Sequence, residues 1–327
     1  MSSMSPVRAR EFWSDTLRLL DLSAAKRDND ALALAVEIAK RFPEQAAESS
    51  YLLACSYVRA GHDEEALHTL EAALERGKFW HDSLLRWSPS LQPLGDLPRF
   101  RRILARSKAM MASLEATTRV SVKVFTPKAG RITTESPLLL PLHGGADIPG
   151  EHDAYWAAAT DVAVMVAVAQ SSQRRSSDTF WWGGPGEPFD RERSERDVKT
   201  AYDEVRTTFP FDVTRVVLAG FSQGAILAVT LALQNQPFPV RGFACVGPGI
   251  EDLEPLLPLM EPAAARGLRA WILAGERERG LELITRLGDA LASRGVPCQL
   301  DVVSGVGHEF PPDFHARLQS GLSFVLV

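Results

Sequence analysis

Residues 216–233 read VVLAGFSQGAILAVTLAL, and the reading of this stretch decides the fold. VVLA is an apolar run suited to a buried strand, and AILAVTLAL is a second apolar run suited to a helix. Between them stands Gly220-Phe221-Ser222-Gln223-Gly224. A serine at such a junction must sit on a sharp, strained turn if its hydroxyl is to project beyond the strand. Glycines on either side remove the Cβ atoms that would collide as the chain doubles back. The spacing predicts Ser222 as an exposed nucleophile.

Outward from this point the same alternation continues. Candidate strands are 119–127, 137–145, 161–170, 214–222, 240–247, 268–275 and 297–304, most of them near-continuous runs of Val, Leu and Ala. Strands buried on both faces of a parallel sheet read this way. Helices are expected near 151–159, 193–208, 223–235, 279–294 and 313–325. The expectation is an α/β unit with a doubly wound, mostly parallel sheet, its chemistry beyond the carboxyl ends of the strands.

A serine nucleophile needs a base. His308, in SGVGHEFPP, follows the last expected strand. His62, His68 and His81 belong to the N-terminal part and His315 to the last helix. His143 lies in the glycine loop PLHGGADIPG (141–150), and His152 opens the helix after it. Attack on an ester carbonyl creates an oxyanion that must meet donors already in place. The backbone N–H of Gln223 is one expected donor, and the glycine loop, at Gly145, is expected to give the second. A carboxylate must also orient the base. Glu276 and Glu278, just past the strand LRAWILAG, and Asp301, within PCQLDVVS, are the candidates.

Residues from about 119 to 327 resemble the phospholipase/carboxylesterase branch of the α/β-hydrolase superfamily, the branch that contains acyl-protein thioesterases. LHGGAD with Asp147, AGFSQGA, and GHEFP with His308 carry the resemblance. It implies a triad in the order Ser222, acid, His308, with Gly145 where an N–H completes the oxyanion hole. The family pattern puts the acid three residues after the strand-end glycine, here Gly275, which favours Glu278. That position is usually aspartate, so the glutamate is a departure. The implied reaction is hydrolysis of carboxylic esters or thioesters through an acyl-enzyme. A non-catalytic scaffold and a peptidase on the same fold are the alternatives.

Residues 1–115 have a different period. DNDALALAVEIAKRFPEQ and ESSYLLACSYVRAGHDEEALHTLEAALERG carry apolar residues at helical spacing, with a start signal at Asp28-Asn29-Asp30 and a stop at Pro43. The order Ala54, Tyr57, Gly61, Ala66, Ala73 resembles a tetratricopeptide repeat. The segment at 77–104 reads as a degenerate closing unit. A small all-α, repeat-like region in front of the α/β unit is expected. It either covers a face or self-associates, or else binds a protein partner in a groove.

The segment QSSQRRSSDTFWWGGPGEPFD (170–190) is the least compact connection. Trp181 and Trp182 either wall an acyl pocket, with Phe310, or anchor the loop.

With 327 residues, 45% of them apolar and 24% charged, the composition is that of a globular protein. A net charge of −5 with scattered arginines argues against a nucleic-acid surface. No apolar run approaches the ~20 residues a membrane helix needs. Cys55, Cys245 and Cys298 show no CxxC and read as core thiols of a cytoplasmic protein. There is no HExxH, Walker loop or dinucleotide fingerprint, so neither metal nor cofactor is expected.

Overall fold

The computed structural model describes residues 6–127, 131–183 and 191–327. Its residues cluster into two units: Met1–Arg119 with Ala146–Glu151 and Ser172–Asp190, and Val120–Gly145 with His152–Ser171 and Arg191–Val327.

The first unit is built on α1 (Pro6–Ala24), α2 (Asp28–Arg41), α3 (Ala46–Arg59), α4 (Asp63–Glu75), α5 (Asp82–Arg86) and α6 (Pro98–Glu115). Phe12 and Leu19 of α1, Leu34 and Ile38 of α2, and Phe42 just past the end of α2 form one core. A second core gathers Leu67, Leu70, Trp80, Leu85, Phe100 and Ile103. Ala54, Ala66 and Ala73 are fully buried, because small side chains let α3 and α4 approach closely. Trp80 is also fully buried, so its polar atoms need partners. Its indole N–H donates to the Ala47 carbonyl at 2.8 Å, and its backbone N–H donates to Ser107 Oγ at 2.9 Å.

The second unit runs β1 (Ser121–Phe125), β2 (Leu138–Leu142), α7 (Asp153–Ala157), β3 (Met165–Gln170), α8 (Arg191–Thr208), β4 (Val216–Phe221), α9 (Ser222–Gln234), β5 (Gly242–Val246), α10 (Leu257–Ala265), β6 (Arg269–Gly275), α11 (Leu281–Ser293), β7 (Cys298–Val303) and α12 (Phe314–Val325). The sheet order is β1-β3-β2-β4-β5-β6-β7, with β1 antiparallel to β3 and every other pairing parallel. Each expected strand is present, trimmed at its ends. Helix α10 was not expected: Pro262 lies inside it, and its apolar residues lack a clear helical period.

Alternation along β4 assigns the two faces. Val217, Ala219 and Phe221 join Trp156 of α7 and Phe314, Leu318 and Leu322 of α12 in one core. Gly220 points the other way, since a Cβ there would strike the backbone of α9. Helices therefore cover both faces, which is why β2, β4 and β5 are apolar throughout and completely buried.

Candidate active site

Register brings the expected residues to one edge. Gly220 of β4 stands level with Leu142 of β2 and Cys245 of β5, and these strands run in the same direction. Their carboxyl ends therefore release His143-Gly144-Gly145, Ser222 and Gly247 side by side. Gly275 of β6 pairs with Val303 of β7, so Glu278 and His308 leave from neighbouring strands at the same edge.

Ser222 has φ +53°, a left-handed conformation that a non-glycine residue adopts only when its surroundings enforce it. The glycines explain how. A Cβ at Gly220 would lie 2.4 Å from the Gly224 carbonyl carbon, and one at Gly224 would lie 2.3 Å from the His143 oxygen. Strand, turn and helix can meet only without side chains there. The Ser222 carbonyl is held by the Gly249 N–H at 3.1 Å.

His308 and Glu278 are paired. His308 Nδ1 donates to Glu278 Oε1 at 2.6 Å, with the Glu278 side chain 8% exposed and the imidazole 25% exposed. A carboxylate only accepts, so the proton of this bond sits on Nδ1. The other two candidate acids are engaged elsewhere. Asp301 Oδ2 accepts the Trp271 indole N–H at 2.9 Å. Glu276 accepts the Ser304 hydroxyl and the Gly305 N–H, both at 2.8 Å, and these donors hold its carboxyl below the usual value. It clamps the start of the loop that carries His308. The ring of Phe221, the residue before the serine, lies 4.7 Å from the imidazole.

Gly145 adjoins Gln223: a Cβ on Gly145 would come within 3.3 Å of Gln223 Oε1. Gln223 lies in the first turn of α9, where backbone N–H groups point out of the helix end. The loop is fixed from below by His143, which is buried. The Ser171 N–H donates to His143 Nε2 at 3.2 Å, so Nδ1 carries the proton and donates to the Gly144 carbonyl at 2.7 Å.

The residues expected to line a pocket are placed otherwise. Trp181 packs in the core of the helical unit, Trp182 is fully buried, and Phe310 is 3% exposed in an aromatic cluster with Tyr155, Trp156 and Phe314. None of the three presents an open face to a ligand. The reason is that each is large and apolar and finds a core to fill. Residues 184–190 of the long connection lie outside the described residues.

Gly247 is not among the residues expected at the site. With φ +51° it lies against His308 and Glu278, and a Cβ there would be 2.9 Å from His308 Nδ1 and 3.0 Å from Glu278 Oε2. The signal was present in CVGPGI, glycines after a buried strand, as at Ser222. Burial pushes Cys55 up to about 11, Cys298 up to about 12, and Cys245 well above its ordinary value. Among the described residues no cluster of His, Cys, Asp and Glu could hold a metal ion, and no helix is long and apolar enough to cross a membrane.

No protein-family model matches the chain, and no curated protein matches it. Solved structures do. An uncharacterized protein from Bacillus cereus ATCC 10987 aligns over 95% of this chain and 98% of its own, with TM-score 0.53 and 22% identity. Esterase PE8 aligns over 64% of this chain and 100% of its own (TM-score 0.52, 16% identity). Zea mays acyl-protein thioesterase 2 aligns over 63% and 99% (TM-score 0.50, 17% identity). Likeness at this identity speaks of architecture, and the sheet order and elbow agree with it: the chain has the α/β-hydrolase fold, preceded by a helical region.

Proposed function

We propose that this protein is a serine hydrolase that cleaves carboxylic esters or thioesters through an acyl-enzyme on Ser222. The observation that supports this most is the His308–Glu278 hydrogen bond at the strand edge where Ser222 is held at positive φ. Neighbours of the same fold that are named as an esterase and an acyl-protein thioesterase support the choice of bond.

In this reading His308 Nε2 takes the Ser222 proton as Oγ attacks the carbonyl carbon. Glu278 keeps the imidazole in the required tautomer and stabilises the imidazolium. The backbone N–H groups of Gly145 and Gln223 receive the oxyanion. His308 then protonates the leaving alcohol or thiol, and a water activated by the same nitrogen releases the acid. A fluorophosphonate probe tests it directly: wild-type protein is labelled at Ser222, and Ser222→Ala is not. Turnover of p-nitrophenyl esters of increasing acyl length follows the same pattern. Equal labelling of both proteins would overturn the proposal, and strong cleavage of peptide anilides would replace ester with amide.

A further inference from the structure

Strand β2 ends at Leu142 and β3 at Gln170, and Leu142 pairs with Ala169 in parallel register. The two strands therefore release His143 and Ser171 side by side. His143 is buried and Ser171 fully so, which means that the ring nitrogens of His143 must find partners within the fold. The Ser171 N–H and the Gln170 side-chain amide both approach Nε2, at 3.2 and 3.0 Å. A backbone N–H can only donate, so Nε2 accepts and Nδ1 carries the proton. That proton goes to the Gly144 carbonyl at 2.7 Å.

The Gly144 carbonyl and the Gly145 N–H belong to one peptide group. That group is planar and trans, so the two point in opposite directions from a single rigid plate. Whatever fixes the carbonyl fixes the N–H. Left to itself this plate turns easily, because it rotates about ψ of Gly144 and φ of Gly145, and neither residue has a Cβ to limit the motion. A side chain at Gly145 would restrain it, but the Cβ would come within 3.3 Å of Gln223 Oε1. Gln223 is the other expected donor, so stiffening the glycine would press on its partner. The restraint has to come from a neighbouring side chain, and the His143 ring, anchored on the end of β3, gives it.

We infer that His143 is a positioning residue of the oxyanion hole: its Nδ1–H holds the Gly144–Gly145 peptide in the orientation that leaves the Gly145 N–H for the oxyanion. This rests on the proposed reaction at Ser222. The imidazole acts only through the peptide plate. An oxyanion donor serves the transition state and not the bound substrate, so a plate set loose lowers kcat and leaves KM largely alone.

The experiment compares His143→Leu, His143→Asn and His143→Gln, with His315→Ala as control. His315 is exposed on α12 and pairs with Asp161. His143→Leu fills the space without either hydrogen bond. His143→Asn keeps an amide N–H at the place of Nδ1, whereas His143→Gln moves it to the place of Nε2 and leaves the Gly144 carbonyl unserved. Steady-state hydrolysis of a p-nitrophenyl ester should show kcat reduced about ten- to a hundredfold in the Leu and Gln variants, with KM within about twofold of wild type. His143→Asn should recover kcat to within about threefold, and His315→Ala should change nothing. A trifluoromethyl ketone gives the second readout. The Ser222 oxygen adds to its carbonyl, His308 takes the proton, and the carbonyl oxygen keeps the charge, so its Ki should rise by the factor by which kcat falls. Asn and Gln differ by one methylene and are both polar, so their order carries the test if His143→Leu does not fold. Equal losses in those two, or a loss carried by KM with Ki unmoved, would overturn the inference and leave the reaction intact. A wild-type protein inert toward esters and the fluorophosphonate probe would remove the reaction itself.

Discussion

The two units treat polar groups differently. In the sheet unit the interior of every central strand is apolar, and polar side chains gather just past the carboxyl ends, where parallel strands in register open together. Ser222, Glu278 and His308 leave from three different strands. In the helical unit polar groups are buried among helices and a borrowed loop: Glu48 with Arg175, Lys78 with Asp178, and Ser107 with the Trp80 backbone. A sheet can present reactive groups because its strands need no polar side chains for cohesion. A short stack of helices that must hold an irregular loop needs them, since every buried backbone group of that loop requires a partner.

The widest separation between the units should come from Ser222→Ala. Ester turnover should fall by about 10⁴-fold or more, while thermal unfolding stays near that of wild type, because Ala tolerates the same φ no worse than Ser. Next comes Glu278→Gln, with a loss on the order of 10³-fold from the disturbed tautomer. Glu276→Gln, in the same turn, should cost no more than about tenfold, because it touches only the loop. Parallel kinetics on the two variants decide which carboxylate serves the base.

Trp181→Ala tests the helical side. Emptying that core position should cost about 3–5 kcal/mol in denaturant unfolding. Gly247→Ala should cost less stability but drop kcat by about ten- to a hundredfold, since its Cβ would push against both His308 and Glu278.

The smallest effect belongs to Arg99→Ala, because solvent screens a half-exposed ion pair and leaves it little net contribution. Its hydrogen bonds to Glu71 hold that carboxyl below the ordinary value. The folded pKa is depressed, so the stabilisation is present above the unfolded carboxylate value and is lost as pH falls through the folded one. Unfolding titrations between neutral and acid pH should show the variant's deficit vanish at the acid end.

Much of the sheet was legible because parallel strands buried on both faces leave continuous apolar runs, and because a serine between two glycines at a strand end has few other uses. Helix α10 was not, since Pro262 and an all-round apolar composition hide the period. Trp181, Trp182 and Phe310 could have walled a pocket or filled a core, and in the structure all three are buried. A large aromatic residue near a site reads the same in sequence whether it lines a cavity or fills a core, and only packing distinguishes them. Gly247 carried only the weak signal of glycines after a buried strand, because what it touches are the side chains of two residues far along the chain.

By itself, then, the sequence determined the strand-and-helix alternation, the elbow at Ser222 and the loop positions of His308 and the glycines, because these depend on local periodicity and backbone conformation. Tertiary structure alone decided that Glu278 and not Glu276 or Asp301 meets His308, and that the stretch after Gly145 is held by Phe180 within the helical unit. Those choices turn on distances between residues remote in the chain, which no local pattern encodes.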